Sequence, residues 1–77
     1  MTRHKDSCEA AIRLLEEVTA LLKDPHLAFD FARNGVNTSL ALLAVQGTIA
    51  YLDGNKLRAA EDLATAAEEI RARSERT

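Results

Sequence analysis

His4 and Cys8 stand four residues apart, a spacing that puts two soft ligands on one helix face within reach of a transition metal. A closed site needs further ligands, and the chain has one cysteine and only one other histidine, His26. Carboxylates or a second chain would have to complete it. The pair therefore reads as a terminal histidine beside a cysteine that serves as a small core hydrophobe. His26 and Asp30 repeat the i,i+4 spacing, and a carboxylate beside an imidazole can orient a general base. No serine or cysteine is placed beside them as a nucleophile, and such pairs are ordinary on helix surfaces. Glu61, Asp62, Glu68 and Glu69 suggest paired carboxylates, but the Glu-x-x-His signature of carboxylate-bridged bundles is missing, so they read as a solvated helix face. Glycines 35, 47 and 54 stand apart, which leaves no phosphate-binding loop. The expectation is a chain with no catalytic, cofactor-binding or metal-ligating residues: not an enzyme.

Charge narrows the partners further. Arg71, Arg73 and Arg76, with Arg3, His4 and Lys5 at the other end, would form a basic patch if the termini met. Nucleic-acid binding calls for a positive excess and often for stacking aromatics. This chain carries a net charge of −2 and three aromatics, Phe29, Phe31 and Tyr51. Interface or helix-dipole complementation is the better reading of the arginines. One cysteine excludes an intramolecular disulfide, and the N-terminal residues lack the apolar run of a signal peptide. The expectation is a cytoplasmic protein that takes no membrane and no small-molecule substrate.

A binding surface needs elements to position it. Leu40 to Leu52 (LALLAVQGTIAYL) holds ten apolar residues in 13 and no charge. It is too short to cross a bilayer, which takes about 20 apolar residues. As a helix it is apolar nearly all round and must be covered on most sides by protein. In 77 residues, one domain's length, the other helices can cover it only in part.

Four helices are predicted, over about 7–23, 25–34, 38–53 and 55–73, in a single domain 1–77 with residues 1–5 and 74–77 frayed. The first follows Asp6, whose spacing to Glu9 resembles a capping box. Cys8, Ala11, Leu15, Val18 and Leu22 form its stripe, widened by Ile12, Leu14 and Leu21. Asp24-Pro25 opens the second helix and Asn34-Gly35 closes it. On that helix Phe29 points more than about 90° away from Leu27 and Phe31, so either the helix is wedged between two apolar surfaces or Phe29 is an interface residue. Asn37, Thr38 or Ser39 caps the third helix and Asp53-Gly54 ends it. The fourth starts at Asn55, with Leu57, Ala60, Leu63, Ala64, Ala67 and Ile70 as its stripe.

Within residues 40–70, Gly47, Tyr51, Gly54, Ala59, Leu63 and Ala66 resemble a tetratricopeptide helical hairpin, with Gly47 to Gly54 and Ala59 to Ala66 at that family's spacing. Tyr51 falls one place late and the closing proline is absent. One 34-residue period earlier stand Arg13, Ala20 and Pro25, so the first half is no second copy. The resemblance implies protein or peptide binding rather than catalysis.

The combined expectation is an all-α, four-helix bundle with the third helix central and the fourth antiparallel to it. Ala44, Gly47, Ala59 and Ala66 are read as its close-packing residues. It would act as a small protein-binding module that self-associates as a homodimer, with Phe29, Leu40, Leu42, Val45, Gln46, Ile49 and Tyr51 at the interface. Gln46 would either fix a dimer's register or lie at the solvent edge. Two rival classes stay open: a viral or mobile-element effector that inhibits a host complex by binding it, and a DNA-associated regulator such as a helical antitoxin.

Overall fold

The computed structural model describes residues 2–75, and the side chains of residues 6–75. Four α-helices follow one another: α1 Thr2–Lys23, α2 Pro25–Arg33, α3 Thr38–Leu52 and α4 Lys56–Glu75. The protein is all-α, with no strand among the described residues. α1 begins ahead of the predicted Asp6 cap, which lies inside the helix. Residues 2–5 contain neither glycine nor proline, so nothing in them stops the helix from running past its apolar stripe.

Each joint is closed by the hydrogen bonds that helix ends require. The Asp24 side chain accepts from the His26 N–H at 2.8 Å, with Pro25 in the first turn. At the end of α2, the Val36 N–H donates to Phe31 O at 2.8 Å and the Gly35 N–H to Ala32 O at 3.0 Å. This double closure needs a left-handed residue, and Gly35 has φ 75. Asn37 Oδ1 then accepts from the Leu40 N–H at 3.1 Å to open α3.

Asn55 acts on two helices at once. Its N–H donates to Ala50 O at 2.8 Å to close α3, and its Oδ1 accepts from the Arg58 N–H at 3.2 Å to open α4. The joint is therefore only Asp53, Gly54 and Asn55, which turns α4 back along α3. Asn55→Ala is expected to destabilise the fold by about 1 kcal/mol through the lost cap. Gly54 has φ 93 with open space around it, so Gly54→Ala should cost about 1–2 kcal/mol through backbone strain alone. Urea denaturation of both variants checks the pair.

α3 is central. It packs against α4 and against α1, and among the described residues α1 and α4 make no contact with each other. α2 touches the edges of α1 and α3. The bundle is consequently open and flat, with Cα extents of 47 × 27 × 13 Å. Its radius of gyration is 14.1 Å; a compact chain of this length would have about 11.5 Å. Its accessible surface is 6070 Å², against roughly 4,600 Å² expected for a folded monomer of this mass.

Candidate functional site

Only three described residues are buried: Gly47 on α3, and Ala59 and Ala66 on α4. Together they mark the seam between the two helices. A Cβ built on Gly47 would lie 2.9 Å from Leu63 Cγ and 3.2 Å from Asp62 Cβ. The α4 side chains thus rest directly on the backbone of α3, which is the close approach a helix-interior glycine permits. Ala44 is half-buried beside this seam.

Outside the seam the apolar residues stay in contact with water. Leu40, Leu42, Val45 and Ile49 are half-buried, Gln46 is exposed, and Tyr51 is 60% exposed. Phe29 is 70% exposed, so it is not wedged between two surfaces. The Arg33 guanidinium lies 5.8 Å from its ring centroid, a cation–π contact one helical turn on. No side chain larger than alanine is buried anywhere among the described residues.

Sequence reasoning passed over a second set of surface residues. Leu14, Val18 and Leu21 on α1 are exposed along one stripe, as are Leu57, Leu63 and Ile70 on α4 and Val36 in the α2–α3 joint. Periodicity marked the α1 and α4 residues as packing positions. One neighbour cannot cover a stripe as wide as that of α1, and the width of the stripe was the available signal.

The α3–α4 hairpin presents two unlike sides. One holds an open cavity of about 660 Å³ lined by Val36, Leu40, Ala41 and Ile70, with Arg73 and Ser74 at its end. The other holds a shallower one of about 340 Å³ lined by Gln46, Ile49, Ala50, Asp53, Asn55 and Arg58. At 100° per residue, Ala41 and Gln46 stand roughly 140° apart around α3, so the two cavities open on different faces. On the second side Arg58 Nε lies 3.7 Å from Asp62 Oδ2, an enclosed oxygen with no hydrogen-bond partner. Thr48 shares the wheel position of Ala41 on the first side. Its hydroxyl donates to Ala44 O at 2.9 Å, which satisfies the hydroxyl within its own helix.

Among the described residues, those that suggested chemistry are not assembled. His26 and Asp30 are both exposed on α2. Glu61, Glu68 and Glu69 are exposed on α4, and Asp62 turns toward the seam. The side chains of Arg3, His4 and Lys5, and all of Arg76, lie outside the described set; Cys8 is half-buried on α1. Among the described residues no three His, Cys, Asp or Glu side chains converge as ligands for a metal ion. No single described helix is long and apolar enough to cross a membrane; α2 and α3 together have the length and composition but meet at a 106° bend.

No protein-family model, no curated protein and no solved structure matches this chain.

Proposed function

We propose that this chain is a non-enzymatic protein–protein interaction module that self-associates and binds a protein partner through its apolar helical surface. The observation that carries this reading is the missing core: among the described residues nothing larger than alanine is buried, while nine large apolar side chains are exposed. Where exposed apolar side chains gather into a patch on a soluble protein, the patch marks an interaction site. The tetratricopeptide-like spacing across residues 40–70 supports the same class from sequence.

Phe29 is the residue proposed to engage the partner. Large aromatic side chains carry a disproportionate share of binding energy when they insert into a partner's pocket, and Phe29 stands out from a helix with no buried residue. Affinity capture from the native host tests this. Phe29→Asp should lose a partner that the parent retains, at a cost of at least ~2 kcal/mol in binding. His26→Ala and His4→Ala should retain it. If a histidine change abolished function in a folded chain, or the purified protein carried stoichiometric zinc, a metal or catalytic site would replace this proposal.

A further inference from the structure

We infer that the groove side of the α3–α4 hairpin, formed by Val36, Leu40, Ala41 and Ile70, receives the same side of a second copy of this chain. The inference rests on the interaction-module reading above and adds to it which surface takes which occupant.

The 6070 Å² of accessible surface exceeds the monomer expectation by about 1,500 Å². A standard interface removes about 800 Å² per partner, and obligate homodimers run from about 1,000 to 2,500 Å² per protomer. The surplus on one chain thus falls within what one obligate homodimer interface covers.

Chemistry then chooses the side. The hairpin face bearing Gln46, Asp53, Asn55 and Arg58 keeps charged and amide groups that water solvates. The opposite face also carries Asn37, Arg73 and Ser74, but beside them stand the large apolar side chains of Leu40, half-buried, and of Val36 and Ile70, at 40% and 50% exposure. Among the hydroxyls on that side, the one on Thr48 already has its acceptor within its own helix, so covering it strands no donor. Small residues beside the large ones make this face self-complementary. Ala41 and Ala44 leave a depression on α3, whereas Ile70 stands out from α4. A two-fold axis through the face would lay the Ile70 of each copy over the Ala41 depression of the other, the reciprocal contact an isologous dimer requires. Phe29, on α2, is left free for a different protein.

Light scattering on the intact chain is the first test. The parent should show twice the 8.4 kDa chain mass, Ile70→Asp should fall to the single-chain mass, and Gln46→Asp and Phe29→Asp should keep the parent's. Because Ile70→Asp could unfold a chain that depends on its dimer, a second measurement uses exposed positions. In a Cys8→Ser background, nitroxide labels at Ala67→Cys should lie closer across the dimer than labels at Thr65→Cys, by at least one helix diameter, about 10 Å. These positions stand on opposite sides of α4. A parent mass other than twice the chain, a shorter Thr65 distance, or a dimer broken by Gln46→Asp and kept by Ile70→Asp overturns the inference. Loss of partner capture fails separately: a dimer with the expected label distances stands even if Phe29→Asp leaves capture unchanged.

Discussion

Gly47→Leu is expected to lower the stability of the fold by about 2–3 kcal/mol, although leucine is the better helix former by nearly 1 kcal/mol. The overlap begins at the first atom. A Cβ at this position already sits 2.9 Å from Leu63 Cγ and 3.2 Å from both Leu63 Cδ2 and Asp62 Cβ. The remaining leucine atoms would have to displace α4. Gly47→Ala, by the same geometry, should also destabilise, by about 1 kcal/mol, because the contact outweighs the gain in helix propensity. Two of the three nearest atoms belong to Leu63, so Leu63→Ala should be less damaging in a Gly47→Ala chain than in the parent. A double-mutant cycle in urea reads that coupling directly. A Gly47→Leu chain as stable as the parent would remove the seam as the organising contact.

The melting temperature should depend on protein concentration. A folded state that exists as a dimer loses RT ln of the dilution factor, about 2.7 kcal/mol for a hundredfold dilution. For a dimer of two chains this size, that corresponds to a fall of roughly 5–10 °C. Calorimetry or circular dichroism across the micromolar range measures it. A melting temperature that stays constant on dilution would mean the open bundle is stable as a single chain.

The ends of helices were the most legible part of this fold. Asp24, Asn37 and Asn55 each have a side-chain oxygen that a helix start needs, and Gly35 and Gly54 stand where the chain turns left-handed. These are local requirements, set by a few neighbouring residues. The seam was legible for a related reason: Gly47 is costly inside a helix unless another chain segment needs the space. The start of α1 was not. Asp6 and Glu9 have a cap's spacing, but i,i+3 is equally a helix-interior spacing, and nothing N-terminal of them breaks the helix. Nor was the water contact of Leu14, Val18 and Leu21 legible. A stripe shows which residues share a face; how many neighbours cover it depends on where the other helices lie, and no residue on α1 reports that α4 lies beyond α3.

The seam of Gly47, Ala59 and Ala66 has one more consequence, which lies in rotamer freedom. Glycine and alanine have no side-chain rotamers to lose, so closing α3 on α4 over these residues removes only backbone freedom. The flexible side chains, Leu14, Leu21, Phe29, Leu57 and Ile70 among them, keep their rotamers in the single chain because they are still in water. Their ordering is deferred to the moment another surface covers them, at about 0.5–1.5 kcal/mol for each rotamer-rich side chain held still. Motion of their methyl groups and rings, followed by side-chain NMR relaxation, should therefore fall on association, while the backbone of the α3–α4 seam stays as rigid as before.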